Sequence, residues 1–143
     1  MTSRTAPGDV AQALADLHAQ AFDAPWSAAA FADLLGQTGL ILEADANGFI
    51  VVRVVADEAE ILTLAVRPSG RRAGLGARLV RAATDRAAAA GARRMFLEVA
   101  EDNPAARALY ERLGFETAGR RLRYYHRRSG SDVDALLLVL NLA

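Results

Sequence analysis

The spacing of apolar positions changes character more than once along the chain. Val10, Leu14, Leu17 and Ala21 recur at three- and four-residue intervals, the period of one helix face. Asp9 followed three residues on by Gln12 resembles a capping box that opens this helix, and Pro25 interrupts it. Ser27 caps a second, short helix carrying Phe31, Leu34 and Leu35, which Gly36 stops. Then the period shortens. Leu40 to Ala44 reads as a strand, Asn47-Gly48 as a hairpin turn and Phe49 to Ala56 as the returning strand. Asp57-Glu58 marks another turn. Glu60 to Val66 is so nearly apolar throughout that it predicts a strand buried on both faces.

Pro68 ends that strand, and Ser69 to Gly76 form a turn rich in glycine and arginine. A helix follows to about Ala90, with Leu79, Val80, Ala83, Ala87 and Ala90 on its inner face, and Gly91 closes it. Met95 to Val99 is a fourth strand, and Asn103-Pro104 opens a helix that ends at Leu113-Gly114. Phe115 to Tyr125 and Val133 to Leu142 are strands joined by the polar turn Arg127 to Asp132. The order is helix, helix, three strands, helix, strand, helix, two strands. A central β-α-β unit with helices around a mixed sheet predicts an α/β or α+β domain. With no repeat, linker or composition break, residues 1–143 read as a single domain.

Composition narrows the chemistry. The net charge is zero, so local clusters must hold any anion and no global field draws the chain to nucleic acid or to an anionic membrane. All 17 basic residues are arginine, which removes a lysine base, a Schiff-base lysine and a P-loop lysine. Cysteine is absent, so thiolate nucleophiles, thiolate zinc sites and disulfides are excluded. Two histidines, His18 and His126, make a histidine-based metal cluster improbable. The first ten residues lack an apolar leader core, and the longest apolar run, Ala135 to Leu140, is strand-sized. A cytoplasmic location fits.

The loop Arg71-Arg72-Ala73-Gly74-Leu75-Gly76-Ala77 lies between a strand and a helix start. A helix N-terminus presents unpaired N–H groups with partial positive charge. Gly74 and Gly76 remove side chains that would hold a phosphate away from those amides, and Arg71 and Arg72 add charged donors. A Walker loop fails for want of lysine, and a dinucleotide fingerprint fails because no third glycine or downstream acid is in register. What fits is R/Q-x-x-G-x-G/A after the strand end Val66-Arg67-Pro68.

With this loop the sequence resembles the GNAT acetyltransferases, and within them the bacterial ribosomal-protein alanine N-acetyltransferases. Ala24-Pro25-Trp26-Ser27, Asp57-Glu58-Ala59, Ala65-Val66, Leu97-Glu98-Val99, Asn103, Ala108-Leu109-Tyr110-Glu111, Leu113-Gly114-Phe115, Tyr124-Tyr125 and Asp134-Ala135 are similar to that group. His126 replaces a proline common after the paired tyrosines. The resemblance implies the GNAT fold: a mixed, mostly antiparallel sheet flanked by helices, with a β-α-β core that binds acetyl-CoA. It implies acetyl transfer to the N-terminal α-amine of a protein, a ribosomal protein beginning with alanine, without metal, nucleic acid or membrane. Leu64, Ala65 and Val66 would pair through their backbone with the pantetheine arm and supply an oxyanion donor, and residues 71–77 would hold the diphosphate.

Acetyl transfer from a thioester to an amine must remove a proton from an ammonium of pKa about 8, stabilise an oxyanion and satisfy the departing thiolate. Glu98 is out of character in an apolar strand and alternates with Leu97 and Val99. It reads as an outward-facing strand residue or, by the resemblance, as the general base. Tyr110 follows Asn103 by seven residues, which returns it to nearly the same helix face. Asn103 reads as an N-cap, a cofactor contact or both; Tyr110 reads as a core aromatic or, by the resemblance, as the proton donor to the thiolate. Trp26, Tyr124 and Tyr125 are candidate walls for the acceptor, and equally packing aromatics. Glu101 or Asp134 could hold an ammonium, or be solvated. The arginines at 120, 121, 123, 127 and 128 read as a solvated strand edge or, less readily, as a contact for a ribosomal or acidic partner, and His18 as structural or exposed. Competing functions are a small-amine acetyltransferase acting on a polyamine, amino acid or aminoglycoside, a coenzyme A-binding sensor without turnover, and a nucleic-acid-binding domain, which lacks a recognition motif.

Overall fold

The computed structural model describes residues 7–22, 25–68, 74–126 and 132–142. Its elements are α1 (Pro7–Ala21), α2 (Ala28–Leu35), β1 (Leu40–Asp45), β2 (Gly48–Val55), β3 (Glu58–Val66), α3 (Leu75–Ala89), β4 (Arg94–Ala100), α4 (Pro104–Arg112), β5 (Glu116–Tyr125) and β6 (Val133–Asn141). One six-stranded sheet runs β1-β2-β3-β4-β6-β5. Every neighbouring pair is antiparallel except β3 and β4, which α3 joins as a parallel crossover. The mixed, mostly antiparallel sheet and its β-α-β unit are as the sequence implied. None of the described helices is long and apolar enough to cross a membrane.

Two cores sandwich this sheet. On one face α3 and α4 contribute Leu75, Leu79, Val80, Ala83, Ala87 and Tyr110, packed on Ile50, Val52, Met95, Leu97, Val99 and Leu138. On the other, α1 and α2 contribute Ala11, Leu14, Ala15, Leu17 and Phe31, packed on Phe49, Val51 and Ala65. The strand buried tightly on both faces is therefore β2, buried from Gly48 through Val52, and not β3, whose residues alternate buried with half-buried. Burial follows sheet position: β2 lies under both helix layers, while β3 borders a place where the sheet opens.

Several local expectations shift by a residue or two. α1 begins at Pro7, and the Gln12 amide donates to Asp16 rather than reaching back to Asp9, so the expected capping box does not form. Ser27 does cap α2, its hydroxyl accepting the Ala30 N–H at 3.1 Å. The first hairpin turns at Ala46-Asn47, with Gly48 already paired to Asp45. Gly48 is needed as a strand residue, since a Cβ there would lie 2.7 Å from the Ala65 carbonyl oxygen. Ala90 caps the end of α3 and is exposed instead of joining its inner face.

Candidate active site

β3 and β4 pair only at Glu58↔Arg94, Ala59↔Met95 and Glu60↔Phe96. Beyond Phe96, β4 continues beside β6 as far as Ala100↔Ala135, while β3 continues beside β2 to Val66. The two parallel strands diverge, and a cleft opens at their C-terminal ends, where open α/β sheets receive ligands.

A bulge in β3 prepares that cleft. Val51 faces Thr63 and Val52 faces Ile61, leaving Leu62 as the extra residue. An extra residue reverses the alternation of side chains that follow it. Before the bulge, Ala59 and Ile61 belong to the α3 side; after it, Leu64 and Val66 do, and Ala65 turns to the α1 side, where it is 1% exposed. The segment 64–66 thus borders the opening with its backbone.

The helix that leaves this strand begins at Gly74, an N-cap at φ 76°, in the left-handed region that favours glycine. A Cβ there would meet none of the described residues within 4 Å. Gly76 has a different reason: a Cβ would press on Leu109 Cδ2 at 3.3 Å, so its bareness lets α3 approach α4. Leu75 is buried in the core and Ala77 is half-buried. Arg71, Arg72 and Ala73 lie outside the described residues.

Glu98 sits on β4 between Leu97 and Val99, which enter the α3-side core, so its side chain belongs to the α1 side of the sheet. It is 21% exposed, and its Oε1 lies 3.0 Å from Arg121 Nη2. Its Oε2 is buried and has no hydrogen-bond partner among the described residues. Leaving a charged acceptor buried and unmatched costs about 1–3 kcal/mol or more, which favours a site that awaits a donor. Tyr110 lies on the other face of the sheet. It is 4% exposed within the α3-side core that also holds Leu97, Val99, Leu64 and Val66, and its ring packs edge-on against Phe115 at 5.3 Å. Burial pushes its phenol well above the ordinary tyrosine range, so it stays protonated. Asn103 caps α4, its Oδ1 accepting the Ala106 N–H at 3.2 Å, and it is exposed.

The acceptor-side residues divide. Tyr124 and Tyr125 pack edge to face at 5.2 Å, and Tyr124 is 49% exposed with the Arg121 guanidinium 5.1 Å from its ring centre. Trp26 is half-buried on the α1 side, stacked 5.1 Å from His18 and tilted against Phe31. Glu101 and Asp134 are held by one cation: Arg120 Nη1 lies 2.9 Å from Glu101 and 2.6 Å from Asp134. Asp134 also accepts the Arg123 N–H, and that bond, with Arg120, holds its carboxyl below the usual range. The arginine run is therefore paired at 120 and 121 rather than merely solvated.

The sequence did not reveal the partner of Glu98, whereas the structural reading of His18 holds. Arg121 gives no local signal, because its partner Glu98 lies two strands away. His18 did give one: it falls with Leu14, Leu17 and Ala21 on the apolar face of α1, and it is 2% exposed.

The fold is of the mixed α/β class, with parallel strands that part beside a glycine-led helix start. Residues 11–115 match the model of the Acetyltransferase (GNAT) family, and the chain belongs to that family. It is 38% identical over 123 residues to the [ribosomal protein bS18]-alanine N-acetyltransferase of Escherichia coli, covering 83% of this chain and 82% of that protein. The crystal structure of the ribosomal-protein-S18-alanine N-acetyltransferase from Escherichia coli superposes with a TM-score of 0.84 at 32% identity, over 93% of this chain and 88% of that one. The crystal structure of the NatC complex bound to Gag peptide and CoA is also similar, with a TM-score of 0.78, 27% identity and 93% and 91% coverage.

Proposed function

We propose that this acetyltransferase moves the acetyl group of acetyl-CoA to the N-terminal α-amine of a protein beginning with alanine, of the ribosomal-protein type. Such an acceptor would place the reaction in the cytoplasm. The relatives named above act on, or were solved with, ligands of these kinds, and the cleft suits them. The bare Gly74 and the amides of the first turn of α3 suit a diphosphate, with Leu75, Gly76 and Ala77 continuing the cradle and Arg71, Arg72 and Ala73 completing the loop. The backbone of Leu64, Ala65 and Val66 borders the opening left by β4 and would receive the pantetheine arm as an added strand, offering an N–H to the thioester oxygen. Asn103 keeps its amide nitrogen for the same arm while its oxygen caps α4.

One observation carries the chemistry: the buried Oε2 of Glu98, unmatched among the described residues. Glu98 takes one proton from the incoming ammonium, directly or through water, and the freed amine attacks the thioester carbonyl in a ternary complex. The N–C bond forms and the C–S bond breaks. Tyr110, kept protonated by burial, donates to the departing thiolate from the opposite face of the sheet, and the second amine proton replaces the one it gives up. Trp26, Tyr124 and Tyr125 lie on the acceptor's approach.

Coenzyme A release measured with an alanine-starting peptide beside a panel of polyamines, amino acids and aminoglycosides tests the acceptor. Turnover of the peptide with an inert panel is expected. Robust turnover of the panel with an inert peptide would overturn it.

A further inference from the structure

We infer that Arg121 is a positioning residue for the reaction, clamping one oxygen of Glu98 so that the other faces the acceptor amine. This rests on the reading of Glu98 as the base.

Arg121 pairs with Ala135 on β6, while Glu98 pairs with Leu137 two residues further along the same strand. Ala135 and Leu137 share a face of β6, so Arg121 and Glu98 share that face from opposite sides of it. The residue opposite Arg121 is an alanine, and the guanidinium passes over it to reach Glu98 Oε1 at 3.0 Å. A single contact to one oxygen fixes the carboxylate without covering Oε2. A fork gripping both oxygens would stabilise the pair more, yet occupy a lone pair of each and leave neither oxygen wholly free for a substrate proton.

The guanidinium has a second anchor. Its carbon lies 5.1 Å from the centre of the Tyr124 ring, a cation–π contact that limits where the head can swing. Tyr124 is brought there by an irregularity of β5: the register slips between Arg121 and Tyr125, and Arg123 adopts a φ of 51°. Such a slip re-aims the side chains around it. Asp134 holds the bent segment, accepting the Arg123 N–H at 2.9 Å and the Arg120 guanidinium at 2.6 Å, and Arg120 extends the brace to Glu101. The edge strand is shaped to present one cation to one carboxylate oxygen. Arg121 is itself 62% exposed, so its ion pair contributes little to folding. Its effect belongs to orientation.

Steady-state kinetics with an alanine-starting peptide and acetyl-CoA test this on Glu98→Gln, Arg121→Met, Arg121→Lys and the double variant Glu98→Gln/Arg121→Met. Arg121→Met is expected to lower kcat at least about tenfold, the scale of a misplaced catalytic group, with the KM for acetyl-CoA unchanged. Arg121→Lys should recover part of that loss. In the Glu98→Gln background, removal of Arg121 should have no further effect. A loss of the same factor in both backgrounds, or a loss confined to KM, would overturn the clamp while leaving the base in place. A Glu98→Gln variant with nearly full kcat would instead remove the base, and the clamp with it. Tyr124→Leu leaves the ion pair intact and removes its second anchor together with a ring on the acceptor's approach, so it is read in kcat at saturating peptide; a smaller fall than in Arg121→Met supports the arrangement, and unchanged kcat counts against it.

Discussion

His18 Nε2 lies 3.1 Å from Thr63 Oγ1, tying a buried imidazole on α1 to the residue just after the bulge in β3. The other ring nitrogen, Nδ1, accepts the Trp26 N–H at 3.1 Å. That assignment puts the proton of the neutral ring on Nε2, donating to threonine. One side chain thus joins β3 to the segment that carries Trp26.

A charged ring cannot keep both bonds, because protonated Nδ1 no longer accepts. Among the described residues His18 has ring contacts to Phe22, Trp26, Phe31 and Phe49 and a hydrogen bond to Thr63, none of them charged, and burial lowers its pKa below the ordinary 6.5. The unfolded chain therefore binds this proton at a higher pH than the folded one. The contribution to stability is complete above about 6.5 and is lost as pH falls through the folded value. Thermal melts between pH 5 and 8 should show a drop on the acid side that is weaker in His18→Phe, which keeps the ring stack without the titration. Parallel curves for the two proteins would contradict this.

The elements of this fold were legible because each carried its own period or stop. Phe31 and Leu34 beside Ser27, or Leu79, Val80 and Ala83 before Gly91, declare helix faces within a dozen residues. The bulge at Leu62 was not legible, since Glu60 to Val66 has no glycine or proline to mark it and its register is set by β2. The same distinction divides the site. Gly74, Glu98 and Tyr110 stand out by type against their surroundings. The pairings Glu98 with Arg121 and His18 with Thr63 arise only when strands and helices far apart in sequence meet.

Tyr110→Phe keeps the ring that packs on Phe115 and deletes the hydroxyl. Turnover is expected to fall about 10²-fold or more, the usual scale for a lost acid, with acetyl-CoA affinity nearly unchanged by calorimetry. Because burial keeps the phenol protonated, the wild-type rate should show no alkaline loss from this tyrosine up to pH 10. Equal losses in affinity and turnover would assign Tyr110 to binding alone.

Gly74→Asn separates the ligand from the backbone. Asparagine tolerates the left-handed conformation better than other side chains, so the φ of 76° is kept at small cost. Its side chain would stand where no described residue comes within 4 Å of a Cβ, beside the α3 amides. Coenzyme A affinity should fall at least about tenfold, roughly 1.4 kcal/mol, while the melting temperature of the free protein changes little. Unchanged affinity would remove this helix start from the binding site.

Gly48→Ala probes the sheet beneath the cleft. The added Cβ would stand 2.7 Å from the Ala65 carbonyl oxygen and 3.2 Å from Leu75 Cδ2. The first of these is backbone and cannot yield without moving β3. Overpacking of this kind costs about 1–3 kcal/mol, and in a domain of this size each kcal/mol lowers the melting temperature by roughly 2–4 °C. Any shift of β3 at Ala65 carries the neighbouring residues Leu64 and Val66, so acetyl-CoA affinity should fall alongside stability. Denaturant unfolding and calorimetry on the same preparation decide it. A variant that loses stability but binds acetyl-CoA as before would show that segment 64–66 does not hold the cosubstrate.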